Sequence, residues 1–248
     1  MKTYINNENF LAGITVKENT NEENNTALHI CQSIDVVQKN RQELAAQIGY
    51  TLDDFVCTQQ THSANFYKVT AADKGKGAYS LDTAIEDTDA LYTYEKGIVL
   101  TSFTADCVPV ILTNAKTGLI GVVHSGWQGS VKEITLKLLQ HVILEGNNPR
   151  DLHITIGMAL SQDKFEVDED VYLKFKALGY ADQFMYYNES TNKYHIDNQL
   201  TVKKQCELAG IPTEQITVDS TCTFNAINGF SYRQDKQCGR HLTFVVRK

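Results

Sequence analysis

The chain has 248 residues, of which 42% are hydrophobic and 21% are charged. This composition is typical of a folded globular protein and excludes a fibrous or disordered one. The formal net charge of −7 argues against a general nucleic-acid binder and against a membrane-surface binder. A local cluster of arginines could still bind a small anion.

The N-terminal residues MKTYINNENF lack the apolar core of a signal peptide, and no apolar run is long enough to span a membrane. The six cysteines are scattered without C-x-x-C spacing, so a disulfide framework is not indicated. We therefore expect a cytoplasmic protein with reduced cysteines. Because no Pro/Gly/Ser-rich linker divides the chain, we also expect a single domain over residues 1–248.

Hydrophobic periodicity predicts helices and strands interspersed along the chain. The first helix covers residues 33–49, with Ser33 or Asp35 as its N-cap and Gly49 at its end. The strand-like stretches are 65–69, 97–105, 108–113, 118–124, 151–158, 216–221 and 241–248, and the further helices are 130–146, 166–179 and 198–210. This order predicts an α/β fold of the α+β type, with one mixed central β-sheet and helices packed on it.

Three residues that can bind a metal fall at the ends of predicted strands. His62 precedes the strand at 65–69, Cys107 interrupts two apolar strands, and His124 ends the next one. Side chains at strand ends can converge in the fold. A His/His/Cys set can hold zinc and leave the fourth position open for water or substrate, as catalytic zinc sites do.

Spacing alone does not favour the zinc interpretation. A lone cysteine among valines is usually a small core residue, and a histidine at a strand end is more often structural than a metal ligand. The same residues also allow a second interpretation, in which Cys107 is a nucleophile activated by His62 or His124. The residues by themselves leave both interpretations open.

The remaining histidines are predicted to have structural or surface roles, because none lies in a comparable pattern. They are His29, His141, His153, His195 (in a predicted hairpin) and His241. The chain has neither a Walker loop nor a G-x-G-x-x-G motif, so nothing supports binding of a nucleoside triphosphate or a dinucleotide.

The segments QTHS, DTDALYT, TADCVPVIL, GVVHSGWQG and FSYRQDKQCGRH follow one another over most of the chain. In these segments the chain resembles the YfiH-like family, long labelled laccase domain or polyphenol oxidase. The resemblance implies a YfiH-like fold and a zinc-dependent purine nucleoside phosphorylase with accompanying adenosine deaminase activity. It also implies that the zinc ligands are His62 of QTH, Cys107 of TADC and His124 of HSGW.

From this resemblance we expect phosphorolysis of adenosine, inosine or methylthioadenosine to the free base and ribose 1-phosphate. The cofactor would be zinc, or copper in the same site. The expected partners are a purine nucleoside and phosphate, with no nucleic acid and no membrane. The candidate residues are Arg41, Arg233 and Arg240 for phosphate, Gln60 and Ser125 for substrate contact, and Asp106 as an acid, a base or a neighbour of the metal ligands.

Some positions depart from the family pattern. Gln128 and Gln234 stand where members usually carry arginine. The N-terminal segment LAGITVKEN lacks the arginine of the usual T-T-R-x-G-G start. This chain therefore has fewer positive charges in the segments expected around the site.

Two other functions stay open at this stage. One is a cysteine hydrolase or amidase, with Cys107 attacking a small cell-wall or peptide-like substrate, and the other is a non-catalytic module that binds metal or nucleoside. A multicopper oxidase is disfavoured, because its copper sites need more imidazoles than seven histidines without a His-x-His pair can supply. The usual zinc deaminase pattern, H-x-E with P-C-x-x-C, is also absent.

Overall fold

Two large β-sheets pack face to face in the computed structural model, which describes residues 1–248. The five-stranded sheet has the order β1 (Lys2–Asn6), β2 (Phe10–Ile14), β14 (His241–Arg247), β6 (Val99–Thr104) and β3 (Phe55–Val56). The six-stranded sheet has the order β13 (Ile216–Val218), β9 (His153–Ile156), β7 (Val108–Asn114), β8 (Leu119–Ser125), β5 (Ala90–Thr93) and β4 (Phe66–Lys68). Both sheets contain parallel and antiparallel pairs.

The central strands are mainly apolar because each one faces two apolar layers. In β7, Val110 and Leu112 contact the helix side, whereas Ile111 faces the other sheet. In β14, Phe244 likewise contacts the helix side, whereas Val245 faces the other sheet. Alternate residues of a strand point to opposite faces, so a strand buried on both faces has a nearly continuous apolar run.

Helices cover both outer faces, which gives four layers. Helix α1 (Ile34–Ile48) covers the five-stranded sheet, and α3 (Ile134–Leu144) and α5 (Asn198–Leu208) cover the six-stranded sheet. Two shorter helices, α2 (Trp127–Val131) and α4 (Glu169–Lys176), lie with a small sheet of β10 (Glu166–Val167), β12 (Lys193–Ile196) and β11 (Met185–Asn188). None of the helices is long and apolar enough to cross a membrane.

The predicted α/β fold is confirmed, and so is the first helix. Ser33 is its N-cap, where the hydroxyl accepts a hydrogen bond from the amide of Val36, and Gly49 ends it in the left-handed conformation. The strands, however, divide between two large sheets, whereas one central sheet was expected. Apolar periodicity identifies a buried strand but does not say which layer the strand joins.

The single helix predicted over residues 130–146 is wrong. The chain forms α2, leaves the helical path at Lys132 and Glu133, and starts again as α3. Glu133 has a left-handed backbone, with φ of 61°. Tertiary contacts hold this break, because Lys132 donates to the carbonyl of His62 and Glu133 accepts a hydrogen bond from Tyr180.

His241, at the start of β14, is fully buried and neutral. Its Nε2 accepts a hydrogen bond of 2.7 Å from the amide of Phe230. Its Nδ1 therefore carries the proton and donates over 2.8 Å to the carbonyl of Thr15. Burial lowers the pKa of this imidazole to about 4.

We expect His241 to make folding sensitive to mild acid. Its pKa is about 4 in the folded state and 6.5 as the ordinary value, so the unfolded chain binds more protons between these two pH values. The free energy of unfolding should therefore fall with pH, by about 2 kcal/mol between pH 7.5 and pH 5 from this residue alone. Urea unfolding of the metal-stripped protein, followed by circular dichroism, measures the change. His241→Gln should be less stable but show a flatter pH dependence, and equal slopes would contradict the prediction.

Candidate metal centre and active-site pocket

The structure brings His62, Cys107 and His124 together. Their potential ligand atoms lie within 4.8 Å of one another. Cys107 Sγ and His62 Nε2 are 4.0 Å apart, and tetrahedral zinc would bring such atoms to about 3.6 Å. A small closure of the side chains would therefore complete a zinc site with three protein ligands.

Cys107 lies in the turn that carries the chain from β6 in one sheet to β7 in the other. Asp106 in this turn has φ of 83°, a left-handed conformation that aspartate tolerates better than most residues. Its carboxylate accepts hydrogen bonds of 2.7 Å from the Thr223 hydroxyl and from the Arg233 amide. These bonds hold the turn in place beside the two histidines.

Asp89, just before β5, links the two histidine ligands. Its buried carboxylate accepts a hydrogen bond of 2.7 Å from Nδ1 of His124, which leaves Nε2 of that ring for a metal. The same carboxylate accepts hydrogen bonds from the amides of Thr61, His62 and Ser63 and from the Ser63 hydroxyl. One carboxylate therefore fixes the loop of one ligand and the ring of the other, as partners of metal-binding histidines do.

The electrostatics of the cluster favour the ligand form of the cysteine. Burial by itself would raise the pKa of the Cys107 thiol, but the adjacent His124 and His62 lower it overall. Burial likewise opposes the charged form of Asp89, but hydrogen bonds from His124 and Ser63 lower its pKa to about 2. Asp89 is therefore ionised at neutral pH, and the cluster supports the thiolate that metal binding requires.

Gly126 provides the space in which two of the ligands meet. A Cβ atom at this position would lie 2.7 Å from Cδ2 of His62 and 3.0 Å from Sγ of Cys107. Any larger residue would push these side chains away from each other. The glycine of the HSGW motif is thus required by close approach.

A pocket of about 820 Å³ opens over the cluster. One part of its wall is apolar and comes from side chains that pack in one cluster, namely Trp127, Phe165, Val167 and Val171. The basic side chains of His29, Arg41 and Arg240 also line the pocket, and Arg233 lies beside the apolar part because it donates to the carbonyl of Glu166. The pocket can therefore take a ligand that has both an aromatic and an anionic part.

Two of the three candidate arginines are open to the pocket. Arg240 is half-buried, with its guanidinium 5.8 Å from the ring centre of Tyr232. Arg233 is exposed and donates from Nη1 to the carbonyl of Glu166. Arg41 is almost fully buried, and its Nε and Nη1 donate to the carbonyls of Thr26, Gly77 and Ala78.

Gln60 lies in the pocket wall, whereas Ser125 does not. Gln60 lines the pocket, but its amide group exchanges two hydrogen bonds with the backbone of Phe103. Ser125 is fully buried, bonds the hydroxyl of Ser130 over 2.9 Å, and is absent from the pocket wall. Ser125 therefore does not reach the place where a substrate would bind.

The positions that lack the family's arginines lie off the pocket. Neither Gln128 nor Gln234 is among the lining residues, and neither is any residue of the segment 11–19. Gln234 instead donates to the carbonyl of Phe224. The basic side chains that line the pocket come from other positions of the chain.

Sequence reasoning missed two residues of this site. Asp89 lies in the segment DTDALYT, where a carboxylate directly before a buried strand was the available signal. His29 was expected to be structural or at the surface; it is exposed, and it also lines the pocket. No local pattern around His29 reveals this, because its neighbours in the pocket are distant in sequence.

Comparison with known proteins places the chain among relatives along nearly its full length. A family model described as "Multi-copper polyphenol oxidoreductase laccase" matches residues 12–248. A Bacillus subtilis (strain 168) protein named "Purine nucleoside phosphorylase YlmD" is 33% identical over 255 residues, covering 100% of this chain and 92% of that protein. The crystal structure of the Bacillus licheniformis hypothetical protein YfiH superposes with a TM-score of 0.92 at 32% identity, covering 96% of this chain and 93% of that one.

A relative with a different named activity matches a smaller share of the chain. The protein named "Adenosine deaminase RL5", from an unknown prokaryotic organism, is 32% identical over 214 residues. The match covers 84% of this chain and 80% of that protein.

We expect Asp89→Asn to weaken zinc binding by about 10- to 100-fold, because the amide lacks the charge and cannot accept every bond that orients the ligands. Competition with a chromophoric chelator at pH 7.5 measures the affinity. Asp87→Asn is the matched control, since Asp87 bonds Thr61 and Asn65 in the same loop but contacts neither histidine ring. Equal zinc affinity of the Asp89→Asn protein and the wild type would show that this carboxylate does not support the ligands.

Proposed function

The chain belongs to the family described as multi-copper polyphenol oxidoreductase laccase, and from its relatives named purine nucleoside phosphorylase we propose that it is a zinc-dependent enzyme of that activity. The resemblance to YfiH-like proteins seen in its motifs is confirmed by its relatives. The observation that carries the proposal is the three-ligand cluster beside a pocket with one apolar and one basic wall. A cytoplasmic location, expected from the sequence, is part of the proposal.

The apolar wall suits a purine base. Trp127 and Phe165 offer aromatic surface, and Val167 and Val171 extend it. A flat aromatic ligand buries much of its surface against such a wall, while a few polar groups set its orientation. We therefore assign the base to this side of the pocket.

The basic wall suits phosphate. Arg240 is half-buried and lines the pocket; its Nη1 donates to the carbonyls of Cys238 and Gly239, which leaves Nε and Nη2 for an anion. Arg233 adds a second exposed guanidinium, and the buried Arg41 adds positive charge behind the wall. Charge-assisted hydrogen bonds from arginine to phosphate are short and strong.

In phosphorolysis a phosphate oxygen forms a bond to C1′ of the ribose while the bond from C1′ to the purine nitrogen breaks. The electron pair of the broken bond leaves with the base, which takes up a proton. Zinc bound by His62, Cys107 and His124 would supply Lewis-acid stabilisation of negative charge on oxygen. The protein's own residues bind the two substrates, exclude water from the apolar side and hold the phosphate near the ribose.

For Asp106 we propose a positioning role. One of its carboxylate oxygens accepts a hydrogen bond from the Thr223 hydroxyl, and the other accepts one from the Arg233 amide. A carboxylate engaged in this way is poorly placed to carry a proton to the leaving base, whereas it is well placed to hold the turn of Cys107. Its role as acid or base stays a prediction.

The family's oxidase label does not fit the donor set of this chain. The cluster of three donors is the only group of three or more such side chains that could hold a metal ion. A multicopper oxidase combines several copper ions. One copper could occupy the same three ligands, so the metal is assigned by elemental analysis of the protein purified without added metal.

We expect the purified protein to release hypoxanthine from inosine only when phosphate is present. Chromatography quantifies the base, and an adenosine reaction run in parallel shows deamination as inosine formed without phosphate. His62→Ala should lose at least 100-fold of the activity and its zinc, because it removes a ligand. His153→Ala, on an exposed position away from the pocket, is the control that should retain both. Nucleoside binding without any turnover would instead support the non-catalytic module.

A specific observation also favours the cysteine hydrolase as the second candidate. Cys107, His124 and Asp89 form a thiol–imidazole–carboxylate series, and the histidines lower the pKa of the thiol. Such a series can activate a cysteine nucleophile. The two candidates differ in whether the thiolate is free or occupied by a metal.

Alkylation of Cys107 by iodoacetamide separates the two candidates. If the thiolate binds zinc, the metal-replete protein should react at Cys107 at least tenfold more slowly than the metal-stripped protein. Peptide mass spectrometry measures the rates, with the half-buried Cys31 and Cys222 as internal references. Rapid labelling of Cys107 in protein that contains stoichiometric zinc would favour the cysteine hydrolase.

A further inference from the structure

His29 is a histidine of the pocket that the metal cluster does not explain. It lies in the loop before α1, has an exposed side chain and lines the pocket together with His62 and His124. Its imidazole makes no hydrogen bond to the protein. By contrast, the buried His241 bonds backbone groups through both of its ring nitrogens. A polar ring that faces a pocket without a protein partner is available to a ligand.

The loop of His29 is bound on both sides to arginines of the basic wall. Arg41 donates from Nε to the carbonyl of Thr26 over 2.6 Å. On the other side, the amide of Arg240 donates to Asn25 over 2.9 Å, and Thr26 donates to the carbonyl of Arg240 over 3.1 Å. The segment that leads to His29 is therefore anchored to both arginines, whose charges act on its imidazole.

Two further contacts make this loop rigid. The side-chain amide of Asn25 donates to the carbonyl of Ile30 over 2.6 Å, which closes the segment that carries His29. Asn25 also packs directly on Gly239, where an added Cβ would lie 2.6 Å from the asparagine Cβ. Preorganised donors lose little entropy when they bind a ligand.

The charges around His29 favour its neutral form. Although the imidazole is open to the pocket, desolvation, followed by the charges of Arg240 and Arg41, lowers its pKa to about 4. A neutral imidazole has one N–H group to donate. The same two arginines that oppose a proton on His29 attract an anion to the space beside it.

We propose that His29 is a phosphate-binding residue, whose imidazole N–H donates a hydrogen bond to an oxygen of the inorganic phosphate attracted by Arg240 and Arg41. This inference rests on the proposed phosphorylase function and assigns the anionic substrate to one end of the pocket. No proton is transferred in this contact. Its role is to orient the phosphate toward the ribose.

The test compares His29→Ala and His29→Gln with the wild type in inosine phosphorolysis at varied phosphate. A hydrogen bond to a charged group predicts a rise of about 10- to 100-fold in the KM for phosphate in His29→Ala. The KM for inosine should change less than twofold, and zinc content should be unchanged. His29→Gln keeps an N–H donor and should recover part of the loss. His153→Ala is again the histidine control.

A second measurement does not depend on turnover. Inorganic phosphate should raise the Tm of the zinc-loaded wild-type protein, compared with potassium chloride at equal ionic strength, because a ligand that binds the folded state stabilises it. His29→Ala should need at least tenfold more phosphate for the same shift. Because this assay uses no nucleoside, it reports the anion site alone.

The outcomes separate this inference from the proposed function. If the wild type responds to phosphate and both His29 variants respond equally, the inference is overturned and the phosphorylase stands. If the KM for inosine rises instead, His29 contacts the nucleoside and the inference is also overturned. If the wild type shows neither phosphate-dependent turnover nor a phosphate-dependent Tm, both proposals fail.

Discussion

The candidate site depends on one buried carboxylate. Asp89 lies in the protein interior, where an unpaired charge would be costly, yet it is fully paired by the loop 61–63 and by the ring of His124. Its hydrogen bonds determine where His62 lies and which nitrogen of His124 is free. Both candidate histidine ligands therefore depend on a carboxylate that is not itself one of the three candidate ligands.

The position of the third candidate ligand, Cys107, depends on how the two sheets are joined. The chain leaves β6 of one sheet and enters β7 of the other within a short turn, and Cys107 ends this turn. The residues that hold the turn, Thr223 and Arg233, come from the C-terminal part of the chain. The site is thus assembled at the edge where the two layers meet, and Gly126 allows the ligands to approach each other.

The pocket combines opposite chemistries despite the net charge of −7. Arg41 keeps its charge in the interior because three backbone carbonyls accept its hydrogen bonds and the ring of Phe103 lies 4.9 Å from it. The wall of the pocket therefore combines positive charge with the apolar surface of Trp127, Phe165 and Val167. Net charge says little about such a site, because salt at physiological concentration screens exposed charges beyond about 8 Å.

Local patterns determined much of this protein. The amphipathic periodicity of residues 33–49 and the glycine at its end predicted α1. Mainly apolar runs predicted the central strands. The motifs around His62, Cys107 and His124 identified these three residues as candidate metal ligands. Only the tertiary structure decided that the strands form two sheets and that Glu133 breaks a helix. It alone also showed that Asp89 supports two ligands and that His29 faces the pocket. The physical reason is distance along the chain: the contact that positions the loop of His29 joins residues 215 positions apart. Periodicity describes only neighbouring residues, whereas such contacts exist only once the layers have packed.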